Sequence, residues 1–119
     1  MHAVVETHAF RRACVAAGVT EAELFAIVDT LAANPRSGDL MEGTGGARKL
    51  RVAARGKGKS GGYRVITFFA ARDVPVFLLD VFAKGEKVNL SKAERNELKA
   101  ILGQLADEWR VSARTKTRT

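Results

Sequence analysis

Arg48-Lys49-Leu50-Arg51-Val52-Ala53-Ala54-Arg55 decides the fold. Leu50 and Val52 fall on one side of an alternating pattern and Lys49, Arg51 and Arg55 on the other, the period of a strand buried on one face only. Gly56 to Gly62 follows as a glycine-lysine loop, Tyr63 to Ala71 as a second strand, Arg72-Asp73 as a turn and Val74 to Lys84 as a third strand. The spacing predicts an up-down-up antiparallel meander. Beyond it, Ser91 with Glu94 three residues later is a capping box that opens a last helix. The apolar stripe of that helix is Leu98, Ile101, Leu102, Leu105 and Trp109. The polar, basic residues after it, 111–119, read as a disordered tail.

Upstream of the meander, His2 to Glu6 is short and β-branched and reads as a first strand. His8 to Ala17 is a short helix closed by Gly18. Thr20 and Glu23 form a second capping box, and Leu24, Ile27, Val28 and Leu31 follow at helical spacing until Asn34-Pro35 stops them. Residues 36–47 are a glycine-rich loop. The predicted order is β-α-α-β-β-β-α, an α+β fold with helices segregated from an antiparallel sheet. The 119 residues fit one domain, spanning 1–110.

Charge narrows the function. The chain carries a formal net charge of +7. Between Thr44 and Arg72 stand eight basic residues (Arg48, Lys49, Arg51, Arg55, Lys57, Lys59, Arg64 and Arg72) and no Asp or Glu. A solvated surface mixes both signs, so this segregation points to a polyanion-binding patch. In a meander, Arg55, the glycine-lysine loop, Arg64 and Lys84 converge at one sheet edge. Glycines 56, 58, 61 and 62 let backbone N–H groups approach an anion; Lys57 and Lys59 supply point charges, and Arg64 a planar fork suited to phosphate. Two registers of the Arg72-Asp73 hairpin are open. One puts Phe82 and Lys84 on the face of Arg64, the other on the opposite face.

Other motifs carry less. Gly58-Lys59-Ser60 resembles the end of a nucleotide phosphate-binding loop, but that pattern needs a glycine where Ala53 stands, and a helix rather than a strand after it. His2 and His8 have no ligand-spaced partners, so no metal site is expected. Asp80 and Glu86 do not make a credible carboxylate pair, Tyr63 reads as a packed strand residue, and the Leu98–Trp109 stripe as core. Cys14 is the single cysteine. It suits a reducing compartment and reads as a small buried hydrophobe. Val74 to Ala83, the longest apolar run, is about half of a membrane span and carries Pro75 and Asp80. No signal-peptide pattern is visible, and a soluble, cytoplasmic protein is expected.

Gly43-Thr-Gly-Gly-Ala-Arg-Lys-Leu-Arg-Val-Ala, Gly56-Lys-Gly-Lys-Ser-Gly-Gly-Tyr-Arg-Val-Ile and Lys84-Gly-Glu-Lys-Val-Asn-Leu-Ser-Lys-Ala-Glu-Arg-Asn-Glu-Leu together resemble the HigB branch of the RelE/ParE toxin superfamily, over about residues 2–109. The resemblance implies a small antiparallel sheet flanked by helices and a type II toxin. It further implies a ribosome-dependent mRNA endoribonuclease (an mRNA interferase that inhibits translation), held inactive by a cognate helix-turn-helix antitoxin. It gives catalytic roles to Lys57, Lys59, Arg64 and Lys84, while the segregated basic patch gives RNA-binding roles to Arg48, Lys49, Arg51 and Arg55; RNA cleavage of this kind needs no cofactor or metal. The RNA 2′-OH would be the nucleophile. A lysine crowded by other cations loses its proton more easily, making Lys57 or Lys59 the candidate general base. Related toxins often carry a tyrosine where this chain has Phe82. Two alternatives come from other classes: a ParE-like inhibitor of DNA gyrase without RNase chemistry, and a nucleic-acid- or ribosome-binding module that does not cut.

Overall fold

The computed structural model describes residues 1–53, 62–83 and 91–117, with side chains as far as Ala113. Its elements are β1 (Val4–Glu6), α1 (His8–Ala17), α2 (Glu21–Ala33), β2 (Asp39–Leu40), β3 (Ala47–Ala53), β4 (Gly62–Phe68), β5 (Val76–Ala83) and α3 (Lys92–Thr117). They build an α+β fold on one sheet of order β1-β5-β4-β3-β2. The meander β3-β4-β5 is antiparallel, as the alternating pattern predicts.

Local chemistry accounts for the helix starts. The Thr7 hydroxyl accepts from the Phe10 N–H at 3.1 Å and donates to the Leu78 carbonyl at 2.7 Å, so one side chain caps α1 and ties it to β5. Both capping boxes form: Thr20 with Glu23 on α2, and Ser91 with Glu94 before α3. Gly18 ends α1 in the left-handed region at φ 72°.

Three features depart from the sequence reading. The sheet is mixed, because β1 pairs with β5 in parallel. Some seventy residues separate the two strands, so no tight turn dictates their direction. Within the expected 36–47 loop, Asp39 and Leu40 pair with Lys49 and Arg48 as a fifth strand; two exposed residues carry no period to read. Gly38 before them has φ 93°, and a Cβ there would stand 2.8 Å from the Lys49 carbonyl oxygen. Lastly, α3 continues to Thr117, past the point where the sequence predicts a tail.

A bulge sets the register of β4 against β5. Phe68 faces Phe77 and Thr67 faces Leu78, but Ile66 faces Asp80, so Leu79 is the extra residue. Beyond it, Val65 faces Val81, Arg64 faces Phe82 and Tyr63 faces Ala83.

Each sheet face has its own core. Phe10, Cys14, Ile27 and Leu31 of α1 and α2 pack on Tyr63, Val65, Leu78 and Val81. On the other face, Leu102 and Ala106 of α3 pack on Ala47, Phe68 and Phe77, and Trp109 meets Phe77 edge-on with ring centroids 6.2 Å apart. The helix therefore covers the end of this face near the β4–β5 turn. Ile101, expected in the stripe, is 54% exposed. Among the described residues no helix is long and apolar enough to cross a membrane.

Arg110 fastens α3 to the turn between β4 and β5. Its Nε and one terminal nitrogen donate to the two carboxylate oxygens of Asp73 at 2.7 and 3.1 Å. These bonds hold the Asp73 carboxyl below its ordinary pKa. A depressed folded-state pKa adds stability that is present above the unfolded value and lost as pH falls through the folded one. Asp73→Asn should thus melt slightly below wild type at neutral pH, and the gap should close on acidification through the carboxylate range. A gap that does not change with pH would show that the pair does not anchor α3.

Candidate nucleic-acid interface

The face that α3 leaves open is lined from the register outward. Residues directly opposite on antiparallel strands share a face, so Arg51 of β3, Arg64 of β4 and Phe82 of β5 form one row across the sheet. Asp39, Lys49, Ile66 and Asp80 form the next row. The Leu50 and Val52 side of β3 packs on the α1–α2 core, with Lys49 and Arg51 on the other side, as the alternation predicts.

Two arginines directly opposite each other repel, at a cost of roughly 0.2–1 kcal/mol for such pairs. Among the described residues neither Arg51 nor Arg64 is engaged in an ion pair. The pair therefore contributes charge to the surface and no evident stability to the sheet. It lies in a groove of about 450 Å³ lined also by Lys49, Asp39, Glu42 and, from α3, Arg95. That volume is in the lower range of sites that hold small ligands, roughly 300–1,000 Å³.

The other candidate residues divide by position. Arg48 points away from this groove, on the α1–α2 side, where its guanidinium donates to the carbonyls of Arg36 and Gly38 at 3.0 and 3.1 Å. It secures the chain leading into β2. Arg55, Lys57, Lys59 and Lys84 lie outside the described residues. Their attachment points are described: Ala53 pairs with Gly62, and Tyr63 with Ala83, so β3, β4 and β5 bound those segments at the same end of the sheet.

Phe82 shares the face of Arg64; Lys84, expected on the same face as Phe82, lies outside the described residues. The chain's single tyrosine, Tyr63, is on the opposite face and 3% exposed. Its phenol donates to Glu23 Oε1 at 3.2 Å and approaches the Gly18 carbonyl at 3.4 Å. Burial, then the charge and hydrogen bond of Glu23, raise its pKa. It is a packed, protonated phenol, so no tyrosine lines the groove. His2 donates to the Val74 carbonyl at 2.8 Å and lies edge-on to Phe69, while His8 is exposed in the first turn of α1. Cys14 is buried, and burial followed by the Glu6 charge raises its pKa, as suits an inert core thiol.

The Gly43-Thr-Gly-Gly run serves as a structural turn. Gly43, Gly45 and Gly46 all have positive φ, and the buried Thr44 hydroxyl donates to the Met41 carbonyl at 2.6 Å while accepting from the Ala47 N–H at 3.1 Å. Arg95 and Lys99 of α3 lie against the space above Gly43 and Gly45. Arg95 is the groove residue that sequence reasoning missed. Its signal was present: it precedes Leu98 by three and Leu102 by seven, so it continues the inward stripe of α3 toward the groove.

One family model, described as RelE toxin of the RelE / RelB toxin-antitoxin system, matches residues 2–113, nearly the whole chain.

A structural Tyr63 makes a clear expectation. Tyr63→Phe should cost about 1 kcal/mol of stability, the usual net value of a hydrogen bond, and leave nucleic-acid binding unchanged. Thermal melting and a binding titration check this; lost binding with unchanged melting would return the phenol to the site.

Proposed function

We propose that this chain, which belongs to the RelE toxin family, is a HigB-type toxin: a cytoplasmic, ribosome-dependent mRNA endoribonuclease restrained by a helix-turn-helix antitoxin. The observation that carries this reading is the Arg51–Arg64 pair, two adjacent cations without an ion pair among the described residues, on an open sheet face. Such an arrangement costs the fold energy and suits a phosphate backbone.

In the reaction proposed, the RNA 2′-oxygen attacks the adjacent phosphorus as its proton passes to a general base. The bond from phosphorus to the 5′-oxygen breaks, and that oxygen takes a proton. The products are a 2′,3′-cyclic phosphate and a 5′-hydroxyl. Lys57 or Lys59 is assigned the general base, and Arg64 with Lys84 the charge on the transition state. Lys49 and Arg51, with Arg55, are assigned the flanking phosphates; Arg48, turned to the other face, is left with its structural contacts. Phe82 beside Arg64 offers a ring to the site but no proton.

Arg64→Ala should reduce translation-coupled mRNA cleavage by roughly 10²–10³-fold, the usual cost of removing one fixed charge-stabilising donor. Arg64→Lys should restore little, because the planar fork is lost. Melting should barely change, since loss of a surface charge rarely costs more than about 0.5 kcal/mol. Full cleavage by the Arg64→Ala, Lys84→Ala double variant would place the chemistry elsewhere. Gyrase inhibition without cleavage would move the chain to the ParE-like branch.

A further inference from the structure

We propose that Arg95 of α3 is a phosphate contact, and that it holds the RNA strand from the helix side while Arg51 and Arg64 hold it from the sheet. This rests on the reading of the groove as an RNA site. Arg95 lines the same groove as Lys49, Arg51 and Arg64. Its Nε is buried and, among the described residues, has no hydrogen-bond partner. A guanidinium N–H removed from water and left unbonded is costly, and it recovers that cost when an anionic acceptor reaches it. Among the described residues no carboxylate comes within ion-pair distance of Arg95, although Asp39 and Glu42 line the same groove.

The position of Arg95 is built. The capping box of Ser91 and Glu94 fixes the start of α3 immediately before it. Leu98 and Leu102, one and two turns on, pack in the second core. Its own stem passes over Gly43, where a Cβ would lie 3.8 Å from Arg95 Cδ. A long side chain anchored along its length loses little further entropy on meeting a ligand. The charge layout also gives direction: Asp39 belongs to edge strand β2 and Glu42 to the turn after it, while Arg51 and Arg64 belong to β3 and β4. Phosphates are repelled from the β2 side and, at the other flank, by Asp80 of β5, so the strand runs over β3 and β4 beneath Arg95.

The test is the salt dependence of binding to a short, mixed-sequence single-stranded RNA. Each phosphate contact contributes about 0.7 to the slope of log K against log salt. Arg95→Ala and Arg95→Gln should each lower the magnitude of the slope by about 0.7, as Arg64→Ala should, while Arg95→Lys keeps it. Arg95→Gln retains the stem that packs over Gly43 and serves if the alanine variant folds poorly. A merely structural Arg95 would shift melting and leave the slope alone. An unchanged slope in Arg95→Gln beside a reduced one in Arg64→Ala overturns this inference and leaves the RNA site standing. Salt-independent binding by wild type overturns the RNA site itself, and the role of Arg95 with it.

Discussion

One extra residue in β5 governs which side chains meet on the open face of this sheet. Without the bulge at Leu79, the Phe68–Phe77 pairing would carry on so that Arg64 faced Val81, and Phe82 would turn toward α1 and α2. With it, Val81 enters the first core among Val65 and Leu78, and Phe82 joins Arg51 and Arg64 on the open face. Because the side-chain period of a strand is two, a single inserted residue exchanges the two faces for everything beyond it. The same strand can thus feed two cores at one end and a charged row at the other.

That division would fail if α3 covered the whole second face. Its apolar contacts gather near the β4–β5 turn, through Leu102, Ala106 and Trp109, and Arg110 on Asp73 fixes the same end. Such a pair on the surface adds little stability by itself. Its geometry is bidentate, however, so it specifies the helix's placement more than its affinity. The opposite end of α3 then stands beside the groove with Arg95 lining it, and the glycine turn at 43–46 gives the helix room to approach.

Much of this was legible in the sequence because it rests on local rules. Both capping boxes, the meander strands, the burial of Cys14 and Tyr63, and the two-faced character of Leu50–Val52 against Lys49–Arg51 follow from spacing and residue type. What could not be read depends on long-range pairing. The parallel β1, the two-residue β2 and the bulge at Leu79 are set by contacts between segments distant in sequence. The same limit applied to the charges. Eight cations in one window identify a basic region, yet alternation sends Arg48 to one face and Lys49 and Arg51 to the other, and Arg95 comes from a helix outside the window altogether.

The location of the phenol constrains how a proton can move. Tyr63 is bonded to Glu23 beneath the sheet, and its raised pKa makes it a poorer acid than a free tyrosine. To reach the groove it would have to cross the sheet, abandoning a buried carboxylate that also caps α2 through the Thr20 N–H at 2.8 Å. The groove's described side chains then offer guanidiniums, which do not release protons near neutral pH, together with Lys49, Asp39 and Glu42. Asp39 and Glu42 lie to the β2 side of the arginine row, away from Phe82, while Asp80 of β5 stands in the next row on the same face and accepts from the Val81 N–H. In the proposed cleavage, proton transfer beside Arg64 would be the task of Lys57, Lys59 or Lys84, whose segments attach at the end of the sheet where Ala53, Gly62 and Ala83 meet.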